Sequence, residues 1–373
     1  MSHDWNKKWT VLYVCTDWDI VEGSGASLID MIQSARGNIE PIVLVRHEGA
    51  VSRRLAQQGI QTIVVPFFYI WEKLPSLKTF LRYLFLNERC ARKIKKKLGG
   101  KHVDIVHTNT TVTTVGVVLS RILGAKHVWH LREDLQRINI APYMGMKRLK
   151  RAISRADARI AVSAAIHEAW PQYSDNTFVL PDCVFQSAPT QTPLNATRQH
   201  YFLFLSIHIN YIKGADLAVE SFCQAQIDDD YKLLMVGNCT TEYKQHLLSI
   251  ASQYNKANRI DFLSPTDSVE SLFRNASGLL QCSANESLGR VSIEAMAYGC
   301  PLIARLGMGN SQIVEDGRTG FLFDTANQCA RIIESVAKHY PSNVCDNAYH
   351  QVCQQYVADV FSPKLLNIYN QVM

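Results

Sequence analysis

This chain has little that would send it into or across a membrane. Its longest apolar run, near Val64 to Trp71, falls far short of the ~18 residues that suggest a spanning helix. The opening residues, MSHDWNKKWTVLYVC, lack the charged start, apolar stretch and small-residue cleavage site of a secretory signal, so a cytoplasmic location is expected. There is no Cys-x-x-Cys pair and no His-rich partner at ligand spacing. The ten cysteines stand singly, which excludes a disulfide framework or a zinc ribbon and reads as reduced, mostly buried thiols. No tract is low in complexity, and an ordinary 19% of charged residues leaves no room for extensive disorder.

What remains is a globular chain of 373 residues with 47% apolar content, long enough for two domains with their own cores. Its net charge of +6 hides an asymmetry: residues 1–190 carry a net +10 and residues 191–373 a net −4. Short β-branched runs alternate with helix-length amphipathic segments, the pattern of parallel strands joined by helical crossovers. In the first half the expected strands are Thr10–Cys15, Pro41–Val45, Thr62–Pro66, Val103–His107, Lys126–His130 and Ala158–Val162. Helical stretches there include Ala26–Ser34, Leu74–Leu98, Val112–Leu123 and Lys147–Ser154. Gln186–Gln199 is apolar-poor with two prolines and reads as a linker, after which the pattern restarts.

The second half offers strands at Tyr201–Ile207, Lys232–Val236, Arg259–Phe262, Gly278–Gln281, Leu302–Ala304 and Gly320–Phe323, with helices including Ala215–Gln226, Lys244–Tyr254 and Val291–Tyr298. The expected fold class is therefore α/β: two Rossmann-like doubly wound domains, 1–187 and 188–360, facing a central cleft at the carboxyl ends of their strands. The amphipathic segment Phe361–Met373 is expected to pack back on the first domain.

The strongest chemical signal is ANESLGRVSIEAMAYGCP, from Ala284 to Pro301. Glu286 stands in a loop after a strand, and Glu294 lies inside a helix that stops at Gly299 before Pro301. A free helix N-terminus offers backbone N–H groups to an anion such as a diphosphate, and Gly289 permits close approach. If the glutamates are taken as helical neighbours, eight residues span roughly 12 Å, more than the ~5 to 9.5 Å of a glycosidase carboxylate pair. That spacing argues against hydrolysis by the pair.

The segment from Glu286 to Pro301 is similar to the paired-glutamate signature of retaining GT-B glycosyltransferases of family 4. The resemblance implies a nucleoside-diphosphate sugar donor and no metal or other cofactor. It implies Glu286 on the donor sugar hydroxyls, Glu294 on the nucleotide ribose, and the amides near Gly289 and Arg290 against sugar and diphosphate. Leu288 departs from the family's common Phe. Ser206–Gly214 (SIHINYIKG) resembles the family's Arg-then-Lys-Gly element, with Lys213 as the diphosphate cation and His208 at the position of the missing arginine. A cation there suits a leaving diphosphate that gains charge as the glycosidic bond breaks.

Val21-Glu-Gly-Ser-Gly-Ala-Ser27 follows the first strand with small residues only at 23 to 27, and the resemblance puts Gly23, Ser24 and Gly25 beside the diphosphate or acceptor. Trp129-His-Leu-Arg-Glu-Asp134 resembles the family's strand-end His, with His130 approaching the transferring sugar from the acceptor side. Arg132 and Glu133 either orient the acceptor or pair with each other. Gly307–Gly320 resembles a donor-domain loop, with Gln312 where the family frequently has Glu.

Lys73–Lys101 carries ten Lys or Arg against Glu88, interleaved with Leu77, Phe80, Leu81, Leu84, Phe85 and Ile94. A basic amphipathic helix of this kind suits an anionic membrane surface, each cation contributing about 1 kcal/mol near the headgroups. A nucleic-acid partner is not expected, since no nucleic-acid module is recognisable. The function implied is metal-independent, retaining hexosyl transfer to a glycan or lipid-linked acceptor, in bacterial-type surface polysaccharide synthesis at the inner face of the cytoplasmic membrane. A sugar-nucleotide epimerase of the same fold, or a catalytically degenerate sugar-nucleotide-binding protein, stays open as an alternative.

Overall fold

A computed structural model describes residues 8–17, 21, 23–70, 77–142, 144–170, 176–192, 198–266 and 268–373, without the side chains of 77–80 and 82–84. The chain divides into two units, Met1–Gln186 with Ala358–Met373, and Ser187–Val357.

The first unit holds the strands β1 (Trp9–Cys15), β2 (Ile39–Val45), β3 (Gln61–Val64), β4 (Ile105–Thr108), β5 (Lys126–Leu131), β6 (Ala158–Ala161) and β7 (Thr177–Val179). They form one parallel sheet in the order β3-β2-β1-β4-β5-β6-β7. Its helices are α1 (Gly23–Ala35), α2 (Ala50–Gln57), α3 (Leu77–Lys97), α4 (Val115–Leu123), α5 (Met146–Ser154) and α6 (Ala164–Ala169). Crossover helices cover both faces of such a sheet, which is why Val11, Leu12, Tyr13 and Val14 in succession are fully buried.

The second unit carries β8 (Tyr201–His208), α7 (Ala215–Gln224), β9 (Lys232–Asn238), α8 (Thr241–Ser252), β10 (Ile260–Leu263), α9 (Val269–Asn275), β11 (Gly278–Gln281), α10 (Arg290–Ala297), β12 (Leu302–Arg305), α11 (Asn310–Ile313), β13 (Phe321–Phe323), α12 (Ala326–Lys338) and α13 (Ser342–Gln355). Its parallel sheet runs β10-β9-β8-β11-β12-β13. The chain then returns to the first unit through α14 (Ala358–Val372), whose Phe361, Leu365, Ile368 and Tyr369 share a core with Leu28 and Ile32 of α1. In both sheets the strand order reverses once, between β1 and β4 and between β8 and β11. Doubly wound sheets bind ligands at the carboxyl ends beside such a reversal.

Several boundaries differ from the sequence pattern. The small residues Gly23, Ser24 and Gly25 are not a loop before a helix but the first turn of α1 itself. The last helix starts at Ala358, three residues before the expected Phe361, where Ala358 N–H donates to the Phe185 carbonyl at 2.9 Å. The edge strand β7 was not anticipated, because three half-exposed residues leave no apolar alternation to read. The described part of the expected linker is held to the second unit by side-chain bonds. Gln191 donates to Asp346 at 2.8 Å, Thr192 to the Tyr298 carbonyl at 2.6 Å, and Tyr349 to the Pro189 carbonyl at 2.9 Å.

Candidate functional site

In the second unit the reversal between β8 and β11 is built by glycines. Gly237 of β9 has φ +146°, and a Cβ there would lie 1.8 Å from the Ser206 carbonyl oxygen. Only glycine admits the irregular register of β8 between Leu205 and His208. His208, the last residue of β8, stands exposed on it. After β8, Asn210 caps a single 3-10 turn, its Oδ1 accepting from Lys213 N–H at 3.1 Å. Gly214 follows at φ +76°, where a Cβ would lie 2.4 Å from the Cys282 carbonyl oxygen. This backbone contact with the end of β11 carries Lys213 to the next loop, and its Nζ lies 2.8 Å from Glu286 Oε1.

The Glu286 loop is held by a second backbone approach. Gly309 N–H donates to the Glu286 carbonyl at 2.8 Å, and a Cβ on Gly309 would lie 2.7 Å from that oxygen and 2.9 Å from Leu288 N. Leu288 is buried beneath the loop. Gly289, left-handed at φ +89°, then starts α10, and Arg290 Nε lies 2.9 Å from Glu294 Oε1 one turn on. Glu286 therefore precedes the helix, and the 12 Å helical spacing of the two carboxylates does not describe this site. Asn310 donates from Nδ2 to the Ser283 and Arg305 carbonyls at 2.9 Å each, while its Oδ1 and the Ser292 hydroxyl are buried without a partner among the described residues. Gln312 lies on the short α11, exposed.

The segment thus brings Lys213, Glu286, Leu288, Gly289, Arg290 and Glu294 to one end of the second sheet. Two cations each face a carboxylate, beside the start of a helix whose first free amides point along its axis toward that end. Such an arrangement suits an anion with hydroxyls on either side. Asn210, Gly214, Gly309 and Asn310 escaped the sequence reading as site residues, although the glycines' places in the Lys-Gly and Gly-x-Gly pairs signalled tight backbone.

The first unit is different in character. Ser24 Oγ donates to Asp17 Oδ2 at 2.5 Å, and a Cβ on Gly25 would lie 3.0 Å from the same oxygen. The first turn of α1 thus already faces a carboxylate, which opposes an anion at Gly23, Ser24 and Gly25. Glu22 of the expected loop lies outside the described residues. Arg132 does not pair with Glu133. It makes a two-point contact with Asp182 at 2.9 Å and donates to Asn109 at 3.1 Å, whereas Glu133 accepts from the Thr110 hydroxyl and the Thr111 N–H at 2.8 and 2.7 Å.

His130, expected as a strand-end histidine approaching the transferring sugar, is wholly buried in β5. Burial, the nearby Arg132 cation and His107 hold it well below the usual imidazole range. The ring is neutral at pH 7, so its chemistry is hydrogen bonding rather than proton exchange.

In the basic stretch, Lys73 lies outside the described residues. On α3, Leu81 is 57% and Phe85 72% exposed, on the face that also exposes Arg89, Arg92 and Lys96. Glu88 pairs with Arg121. Among the described residues no helix is long and apolar enough to cross a membrane, and no group of three or more His, Cys, Asp or Glu side chains is arranged to hold a metal ion.

Residues 191–349 match the family model described as glycosyl transferases group 1, and residues 22–184 that of glycosyltransferase family 4. The chain is 27% identical over 180 residues to the N-acetyl-alpha-D-glucosaminyl L-malate synthase of Bacillus anthracis, a match spanning 45% of each protein, under half the length of that relative. It is 25% identical over 264 residues to an uncharacterized glycosyltransferase of Methanocaldococcus jannaschii, covering 69% of this chain and 71% of that one. The crystal structure of Anabaena HepE in complex with UDP-glucose is similar in fold, with a TM-score of 0.78 at 19% identity over 97% of this chain and 99% of that chain.

Proposed function

The chain belongs to the glycosyl transferases group 1 and glycosyltransferase family 4, with two Rossmann-like units of the GT-B type, and from that premise we propose that it moves a sugar from a nucleoside diphosphate to a glycan or lipid-linked acceptor with retention of anomeric configuration. The observation that carries this reading is the Lys213–Glu286 contact at the strand-order reversal of the second sheet, beside the start of α10. Lys213, Arg290 and the first amides of α10 hold the diphosphate. Glu286 accepts from the sugar hydroxyls, and Glu294 from the ribose hydroxyls. Leu288 supplies the apolar wall.

Lys213 faces Glu286 and Arg290 faces Glu294. A diphosphate that draws Lys213 away frees Glu286 Oε1 for the sugar, so donor binding exchanges one charged contact for two. As the bond from C1 to the phosphate oxygen breaks, Lys213, Arg290 and the helix amides stabilise the growing charge, and no metal is needed. The acceptor oxygen bonds C1 on the face the phosphate leaves, and its proton passes to the departing phosphate oxygen. His208, exposed at the end of β8, offers a ring N–H to the same diphosphate.

Uracil is the first base to test, because a structural neighbour of the same fold holds UDP-glucose. The first unit takes the acceptor, and the exposed face of α3 rests on an anionic membrane, consistent with surface polysaccharide synthesis at the cytoplasmic face. The test is a thermal-shift panel of UDP, GDP, dTDP and ADP with their common sugars, run in EDTA. Selective stabilisation by one base supports metal-free donor binding. No stabilisation by any of them defeats the reading, and donor turnover without an acceptor would favour an epimerase instead.

A further inference from the structure

The segment Lys147–Arg155, KRLKRAISR, brings five cations and no carboxylate, and none of the roles above uses them. At 3.6 residues per turn, Lys147, Arg148, Lys150, Arg151 and Arg155 fall within a roughly 160° arc, opposite Leu149 and Ile153. In the structure Leu149 and Ile153 are fully buried beneath α5, whereas Lys147, Arg148, Arg151 and Arg155 are exposed. Arg155, which ends α5, keeps the helical backbone and so continues the same face.

By itself this face is electrostatically unfavourable. Lys147, Arg151 and Arg155 recur every four residues, so like charges stand one turn apart and repel. Lys147 and Arg148 also occupy the first turn, at the positive end of the helix dipole, where no acidic residue offsets them. Among the described residues, none of Lys147, Lys150, Arg151 and Arg155 forms an ion pair or a side-chain hydrogen bond. The nearest carboxylate along the chain, Asp157, is taken by Lys126. The charge of the face is thus left to dissolved counter-ions or to an anionic partner.

The fold says which partner fits. Because α5 joins β5 to the parallel β6, it runs from the carboxyl ends of the sheet back toward the amino ends. Lys147 therefore stands nearest the end at which a doubly wound sheet binds ligands, and Arg151 and Arg155 lead away from it in steps of roughly 6 Å. That step is close to the length of one sugar ring in an extended chain. No large apolar side chain is exposed on α5, in contrast to Leu81 and Phe85 of α3, so nothing on this face would enter acyl chains. Nor does the segment carry an aromatic ring on which bases could stack.

We propose that α5 is the track for an acidic glycan acceptor: the reacting sugar lies at the carboxyl ends of the first sheet, and the sugars behind it, bearing carboxylate or phosphate groups, run along Lys147, Arg151 and Arg155. The acceptor part of this inference rests on the glycosyltransfer reading, whereas the glycan-binding face rests on α5 alone.

Fluorescence anisotropy on the full chain at low salt, with end-labelled oligogalacturonate and with phosphomannan fragments of the same length, tests the carboxylate and the phosphate separately. At least one is expected to bind, more weakly as added salt screens the charges, while a neutral maltodextrin of that length does not. Arg151→Glu and Lys147→Glu are each expected to weaken binding by about tenfold or more. Lys93→Glu makes the same change in net charge at an exposed position of α3 and is expected to leave binding unchanged. Both α5 variants replace a repulsion with an attraction one turn away, so they should melt no lower than wild type, which separates lost binding from lost folding. No binding of either acidic glycan, equal binding of maltodextrin, or an equal loss in Lys93→Glu overturns the proposal. So does Arg151-dependent binding of phosphatidylglycerol vesicles or duplex DNA that is tighter than that of both glycans. Donor binding is read apart from this by melting temperature with UDP-glucose and the other nucleotide sugars. If none of them binds while Arg151-dependent glycan binding holds, the glycosyltransfer reading fails and α5 remains a glycan-binding face. If a donor binds and neither glycan does, the track alone is wrong.

Discussion

Lys213 Nζ stands 2.8 Å from Glu286 Oε1, a contact that joins the turn after β8 to the loop after β11. Lys213 is 41% exposed and Glu286 17%, so water screens the pair and its share in stability is small. Lys213→Ala is therefore expected to lower folding stability by at most about 1 kcal/mol. Its effect on transfer should be far larger, roughly 100- to 1,000-fold in kcat, because a preorganised cation at the departing diphosphate acts mainly in the transition state. Urea melts and transfer rates on the same variant check the two halves. A variant equally impaired in both would make the pair structural.

Glu294 should behave differently. A charged acceptor on ribose hydroxyls acts in the bound ground state, so Glu294→Gln is expected to weaken nucleotide binding by roughly tenfold or more. Calorimetry with UDP is the direct check. Unchanged affinity would remove Glu294 from the nucleotide site and leave it as the partner of Arg290.

Gly214 and Gly317 separate close backbone approach from backbone conformation. Both are left-handed, at φ +76° and +72°, but a Cβ on Gly214 would lie 2.4 Å from the Cys282 carbonyl oxygen while one on Gly317 meets nothing within 4 Å. Gly317→Ala is expected to cost about 1–2 kcal/mol for the left-handed conformation alone. Gly214→Ala adds the clash, for a total of about 2–5 kcal/mol, and displaces Lys213 from Glu286. Equal losses in urea melts would mean that the chain after β8 moves aside freely.

How much of this was legible in sequence depended on how far apart the partners lie along the chain. Buried parallel strands such as Val11–Val14 announce themselves as unbroken apolar runs, and the segment from Glu286 to Gly299 carries its residues contiguously. Lys213 and Glu286 are 73 positions apart, Arg132 and Asp182 50, His107 and Tyr369 262. No local pattern pairs them. The small residues at 23 to 25 read as a loop by propensity, yet they form the first turn of α1, where Ser24 donates to Asp17. His130 was recognisable as a strand-end histidine, but its burial, and with it its neutrality, follows from the neighbouring strand and from a helix more than 200 residues further on.

Three buried histidines of the first unit predict how stability depends on pH. Burial lowers His127 to about 4 and His107 to about 3, with His130 also far below its ordinary value. The folded rings refuse protons that the unfolded chain binds near pH 6.5. Stability is therefore full above that value and falls as pH drops below it, by about 1.4 kcal/mol per pH unit for each ring, until the folded values are reached. Urea melts between pH 7.5 and 5 should show this decline, and His127→Gln should remove one ring's share of the slope. Stability that holds flat across that range would mean the rings protonate in place.

The exposed face of α3 allows the membrane reading to be tested without knowing any substrate. Phe85, 72% exposed, stands one turn from Leu81 at 57%, in line with Arg89, Arg92 and Lys96. An apolar pair flanked by cations suits the boundary between anionic headgroups and acyl chains, where the rings and aliphatic carbons leave water and the cations stay among phosphates. Binding to phosphatidylglycerol-containing vesicles is expected, weakened by salt because the cations act through screened charge. Phe85→Glu should lower the binding constant by roughly 30-fold or more, from the loss of a side chain whose burial contributes about 2–3 kcal/mol. Because Phe85 already faces solvent, that variant should keep wild-type thermal stability, which separates lost binding from lost folding. Sedimentation that is the same for Phe85→Glu and wild type, or the same on pure phosphatidylcholine, would make this face a solvated helix surface.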